Sequence, residues 1–288
     1  MHHSDRPLSR KLVRLGAMAL GRSRAHRQDL WPGLHIDRAS GQVTWRGRDL
    51  LTLQPAAQIM PRRDLLAVVG SGPSLKDQHI EALDGCAILC NGAASLAGRI
   101  RPLAVAVEDE RFVFRHHAML AALSPEIPLL LSPAALRAWA ERGTEPLQDR
   151  AVALIDNLAK PVNLPRRKLS DPALSPVLIR KSGAALSINP DQGVVITGTV
   201  AFSALQFALA AGPDAILLAG IDLTNDSQPR FYEGADTAPS GLSSGLDRIL
   251  AGFALARALA ERRGIRLTCA SPVSALLSIG YPHDQRLG

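Results

Sequence analysis

Gly70, Ser71, Gly72, Pro73 and Ser74 end the aliphatic run of "LLAVVGSGPSLKD", residues 65–77. Glycines at such a strand end let the backbone turn sharply and approach a ligand with no Cβ in the way. Serine hydroxyls and exposed amides there can face an anion, as helix N-termini do. Two familiar phosphate loops do not fit, since the Walker lysine–threonine pair and the third glycine of the dinucleotide fingerprint are both missing. The acid that would hold a ribose about 20 residues further on is missing too. Asn91, in "ILCNGA", stands at the next strand tip instead. Its amide can bind a ribose hydroxyl or a base without adding charge.

Three later stretches carry similar chemistry. Thr197, Gly198 and Thr199 open the helix of "VITGTVAFSALQFALAAG", presenting hydroxyls and helix-start amides. Gly220 and Asp222 end the strand of "AILLAGIDL", and Ser271–Pro272 follow the strand of "IRLTCASPVSALL". Glu108, Asp109 and Glu110 after "LAVAV" look like a carboxylate set for a divalent cation. A solvated helix start explains them equally well, because acids favour a first turn, and no metal is expected. His116 and His117 have no partner at ligand spacing and read as surface or satisfied histidines. Cys86, Cys90 and Cys269 are too few and wrongly spaced for a disulfide framework or zinc knuckle. They read as buried free thiols in a reducing compartment.

The elements that must position these residues alternate. Short aliphatic runs ("LLAVVG", "CAILC", "LAVAVE", "IPLLL", "AVALI", "AILLAG", "IRLTC") are separated by amphipathic segments such as 110–122, 133–142, 199–211 and 246–263. That alternation predicts an α/β fold, a single Rossmann-like parallel sheet covered on both faces. Ligands in such folds bind beyond the carboxyl ends of the strands. Residues 31–60 read as a small hairpin and linker, residues 61–288 as the main domain, and residues 1–30 as a basic amphipathic arm. The basic stretch 160–181 reads as an irregular solvated loop rather than a face for a phosphorylated lipid.

Charge is concentrated at the start. Residues 1–28 hold seven cations against the single acid Asp5, so six of the chain's seven net positive charges sit there. A nucleic-acid-binding domain would spread them over its folded surface, and no nucleic-acid partner is expected. In "LSRKLVRLGAMAL", Leu8, Leu12, Leu15 and Ala19 recur at helical spacing with Arg10, Lys11 and Arg14 largely opposite. Such a helix either lies on an anionic membrane or is a solvated tail. Charge interrupts its short apolar stretch and more arginines follow, which argues against a signal peptide. No window approaches a transmembrane span.

Taken together and in order, "GSGPSLKD … CN … TGTVAFSALQFALAAGPDAILLAGIDL … IRLTCASPVSALL" resembles glycosyltransferase family 42, over roughly residues 65–280. These bacterial enzymes move sialic acid from its CMP conjugate onto lipooligosaccharide or related glycans. The glycine-rich opening and the Gly-Ile-Asp strand end also resemble 6-hydroxymethylpterin pyrophosphokinase-like domains. The resemblance implies one nucleotide-binding domain with a lid at about 223–247, no metal, a CMP-activated donor and a glycan or glycolipid acceptor. It implies that Gly70, Ser71, Gly72, Pro73 and Ser74 line the CMP phosphate and ribose. Asn91, Thr197, Gly198 and Thr199 would contact the nucleotide, Asp222 would sit near the cytidine, and Asp109 matches a family asparagine.

The catalytic end departs from that pattern. "YEGADTAPSGLSSGLDRIL" has no histidine to serve as general base, and its carboxylates are Glu233, Asp236 and Asp247. Asp247 is the first candidate to replace that histidine and Asp236 the second. Thr224 and Tyr232 stand where the family's lid tyrosines steady the departing phosphate. The departure favours a related keto-acid sugar such as Kdo at least as much as sialic acid. The expectation is a cytoplasmic, membrane-peripheral transferase of surface-glycan assembly, able to form homo-oligomers. The alternatives are a pterin-type diphosphokinase needing ATP and Mg²⁺, and an inactive glycan-binding relative.

Overall fold

In the computed structural model, which describes residues 6–223 and 245–288, the chain opens with helix α1 (Leu8–Ala19) and the short turn α2 (Arg22–Ala25). Strands β1 (Leu34–Ile36), β2 (Gln42–Trp45) and β3 (Arg48–Thr52) form an antiparallel meander. Where the sequence reads as a hairpin, a third strand is therefore present. Arg46 and Gly47 both take positive φ, 52° and 79°. Two such residues in succession make the tight turn whose twist matches paired strands. The short helix α3 (Ala56–Ile59) then leads into the main sheet.

That sheet has seven strands, all parallel. They are β4 (Leu65–Val69), β5 (Ala87–Cys90), β6 (Ala104–Val107), β7 (Leu129–Leu131), β8 (Val152–Leu154), β11 (Ala215–Ala219) and β12 (Arg266–Cys269), in the spatial order β12-β11-β4-β5-β6-β7-β8. The expected Rossmann-like α/β sheet is present. Except for the edge strand β12 (Arg-Leu-Thr-Cys), its strands are almost wholly apolar runs because both faces are covered, which keeps both alternate sets of side chains largely from water. Leu66, Val68, Ile88, Ala104 and Ala106 pack on one face against α6 (Val200–Ala211) and α7 (Leu246–Arg262). Ala67, Val69, Leu89, Val105 and Val107 form the other core with α4 (Glu110–Ala121) and α5 (Pro133–Arg142). Leu34, Ile36 and Val43 of the meander join that second core.

The stretch between β8 and α6 is more ordered than its composition suggests. It contains an antiparallel hairpin, β9 (Leu178–Lys181) with β10 (Ala184–Ser187). Arg180 in it donates to the carbonyls of Leu169 and Asp171 at 2.5 and 2.7 Å. Part of the basic character of 160–181 is thus used to tie the loop to itself.

The chain grows outward from β4 through β5 to β8, then returns to place β11 and β12 on β4's other side. The strand order reverses between β4 and β11. Loops leaving these two strands diverge at such a point, which opens a crevice at the carboxyl edge of the sheet.

Candidate functional site at the carboxyl edge of the sheet

At the reversal point the two loops are clasped together. Gly70 N donates to Ala219 O and Gly72 N to Gly220 O, each at 2.8 Å. Ser74 binds the Asp222 carboxylate twice, through its amide at 3.0 Å and its hydroxyl at 2.6 Å. Ser271, just after β12, donates to the same carboxylate at 2.6 Å. Asp222 is only 5% exposed. It joins the ends of β4, β11 and β12.

The clasp revises several expectations. Asp222 is not free to read a cytidine, because its oxygens are engaged by Ser74 and Ser271. The loop is not an open cradle of amides either, since those of Gly70, Gly72 and Ser74 face protein acceptors. Among the described residues, only the Ser71 amide of the loop's four N–H groups makes no hydrogen bond. Pro73 opens a five-residue 3₁₀ turn, Pro73–Asp77, rather than a helix with a useful dipole. The glycines serve the packing. A Cβ on Gly70 would lie 2.3 Å from Gly220 O, and one on Gly72 would lie 2.4 Å from Asp222 Oδ2.

Among the partnerless buried polar atoms of the described residues, two lie on the carboxyl side of the sheet, in Asn91 after β5 and in Thr197 before α6. Asn91 follows β5 with φ 47°, a left-handed conformation that asparagine tolerates. Its Oδ1 is enclosed and has no hydrogen-bond partner. Thr197, 3% exposed, also buries a hydroxyl without a partner. Thr199 is the N-cap of α6 but its side chain makes no capping bond, so the helix-start amides lack that usual acceptor. Buried polar groups are normally satisfied, and an exception marks a place where something else can bind.

Two side chains complete this region. Glu108 extends β6, next to β5 in the sheet, and accepts from Ser203 Oγ on α6 at 2.8 Å. Burial drives its carboxyl up to about 7, against the Ser203 hydrogen bond, which lowers it. Arg248, near the start of α7, donates Nε to Thr197 O at 2.9 Å. Its Nη2 lies 3.2 Å from where a Gly198 Cβ would stand, so Gly198, at φ 110°, leaves room for the guanidinium. The carboxyl side of the sheet thus carries neutral polar groups, a cation bonded to Thr197 and a carboxyl pushed up to about 7 beside α6.

Gln206 positions this entrance from inside α6. Its Oε1 accepts from Ser187 N and Val195 N, and its Nε2 donates to Val195 O, all at 2.9 Å. The segment that delivers Thr197 is pinned by one buried amide. A glutamine in an apolar helix is the signal that sequence reading passes over.

The remaining expected residues are placed as follows. Asp109 caps α4 by accepting from Arg111 N at 2.9 Å and pairs with the Arg111 guanidinium. Its carboxylate is engaged locally, and Glu108, one residue earlier, is the group toward the crevice. Glu110 is buried among arginines. The three neighbouring acids therefore serve three separate purposes, and among the described residues no three His, Cys, Asp or Glu side chains cluster as metal ligands. Asp247 is exposed in the first turn of α7, beside Arg248. Asp236 and Tyr232, with Thr224 and Glu233, lie outside the described residues. Cys90 and Cys269 are buried free thiols, and Cys86 is half-buried.

A groove of about 610 Å³ lies at the opposite edge, lined by residues that precede β4, β5, β6 and β7, including Arg63, Arg99, Arg101 and Glu126. Arg99 pairs with Glu81 and Arg101 with Asp84, and no partnerless buried polar atom lines it. The carboxyl edge is the better candidate. No family model, no curated protein and no solved structure matches the chain.

Proposed function

We propose that the chain is a glycosyltransferase that uses a CMP-activated sugar, sialic acid or a related keto-acid sugar, to extend a glycan or glycolipid. The observation that carries the reading is the pair of partnerless buried polar atoms at carboxyl-side positions, Asn91 Oδ1 after β5 and Thr197 Oγ1 before α6. Neutral amide and hydroxyl groups suit a cytidine and its ribose, and Arg248 with the start of α6 suits a single phosphate. The order of motifs from Gly70 to Ser271 supports the same reading.

The missing histidine moves the search for a base to Glu108. In transfer, the acceptor hydroxyl oxygen bonds to the anomeric carbon while the bond from that carbon to the phosphate oxygen breaks. CMP leaves with that electron pair, and the base takes the hydroxyl proton. A carboxyl with pKa about 7 is partly ionised at neutral pH and fits this task. Asp247 and Asp236 become secondary candidates.

A thermal-shift screen of CMP, UMP, ADP and GMP, with and without Mg²⁺, tests the reading. The proposal expects CMP to raise Tm without metal. Stabilisation by ADP that requires Mg²⁺ would favour the diphosphokinase instead.

A further inference from the structure

Helix α1 is docked with its polar side inward. Arg10, 2% exposed, and Ala17 face the domain, while Leu8, Leu12, Leu15, Met18 and Leu20 are between 60 and 76% exposed. Leu8, Leu12 and Leu15 form one stripe at spacings of four and three, opposite Arg10 and Ala17. Ordinarily an amphipathic surface helix turns its apolar stripe to the core.

What holds the helix in this orientation is charge. Glu110, at the start of α4, pairs with Arg6, with Arg10 at 3.2 Å and with Arg137 of α5 at 2.5 Å. Arg10 also donates to Trp31 O at 2.8 Å and Gln28 O at 2.6 Å. The leucines are left mostly exposed, as an outward apolar face. Lys11, Arg22, Arg24 and Arg27 are exposed along the same arm, and Trp31, 53% exposed, follows it.

We infer that this face binds an anionic lipid bilayer, with the leucines in the acyl boundary and the surrounding cations at the headgroups. A membrane is the occupant that matches both halves of the surface, since an apolar stripe within an excess of positive charge complements anionic lipid and repels a second copy of itself. Among the described residues no helix is long and apolar enough to cross a membrane, so the contact is one of lying on the surface. Glu110 is two residues from Glu108. The arm is therefore attached close to the carboxyl edge, which would bring a membrane-borne acceptor to the proposed crevice.

Vesicle flotation of the full chain tests the inference without any nucleotide, so its outcome is separate from the transferase reading. The expected result is co-flotation with phosphatidylcholine–phosphatidylglycerol vesicles and little with phosphatidylcholine alone. Replacing Leu12 and Leu15 together with aspartate should lower vesicle affinity by about tenfold or more, given the transfer energy of two leucines. The Tm of that double variant should stay the same, because neither side chain is buried. Equal flotation of wild type and variant would overturn the inference, as would absence of wild-type binding to anionic vesicles. So would a wild-type dimer that the double variant dissociates, because a second copy would then cover the stripe.

Discussion

Ser74 and Asp222, 148 positions apart, are joined by two hydrogen bonds from one residue to one carboxylate. The glycine-rich loop is thereby a structural joint between strands, with the polar crevice beside it. Asp222→Asn should weaken the joint while keeping its shape. The expected cost is ~1–3 kcal/mol in chemical denaturation, the range for leaving buried hydrogen-bond partners unsatisfied. Ser271→Ala should show part of the same loss. Unchanged stability in Asp222→Asn would mean that the clasp is incidental.

Gly72→Val should destabilise the domain itself. Its side chain would meet the Asp222 carboxylate and the Gly220 carbonyl, and overpacking of this kind costs ~1–3 kcal/mol. A melting temperature equal to wild type would refute this.

Glu110→Gln should be a damaging change at the arm's attachment to the domain. Burial alone would push the Glu110 carboxyl up, but the Arg6 hydrogen bond and the charges of Arg10, Arg137 and Arg6 outweigh it and hold the carboxyl below its ordinary value. Removing the charge leaves buried guanidiniums facing one another, and breaking such a network costs ~3–5 kcal/mol. Denaturant unfolding measures this, and a loss confined to a few tenths would contradict it.

Glu108 gives stability a pH dependence of known sign. The group ionises near 4.5 in an unfolded chain and near 7 when folded. Between those values the folded state binds more protons, so this residue's contribution falls as pH rises through the window. Glu108→Gln should therefore gain stability over wild type from pH 5 to pH 8. Parallel pH profiles for the two proteins would show that the carboxyl is not held in its protonated form.

The sheet was legible because a strand buried on both faces has no polar positions, and "LLAVV" or "AILLA" can be little else. The third strand of the meander was not, since Arg46 carries no sign that it will take positive φ. Asn91 and Thr197 were visible as residue types at strand and helix ends. Among Glu108, Asp109 and Glu110, sequence could not tell which acid faces which neighbour, because Glu108 and Glu110 are placed by Ser203 and Arg137 from other parts of the chain, while only Asp109 is held locally, by Arg111. The clasp and the pinning by Gln206 likewise join segments brought together only by folding. The buried Arg10 argues against α1 being a solvated tail, while the leucine stripe lies opposite it as expected.

Calorimetric titration of CMP into wild type, Asn91→Ala and Thr197→Val tests the central claim most directly. CMP should bind wild type without metal, and each variant should bind it more weakly by ~1–3 kcal/mol as a polar contact to the ligand is lost. Neither variant should lose a hydrogen bond in the free protein, because Asn91 Oδ1 and Thr197 Oγ1 have no partners there. No CMP binding by wild type, or undiminished affinity in both folded variants, would rule out Asn91 and Thr197 as a nucleotide site.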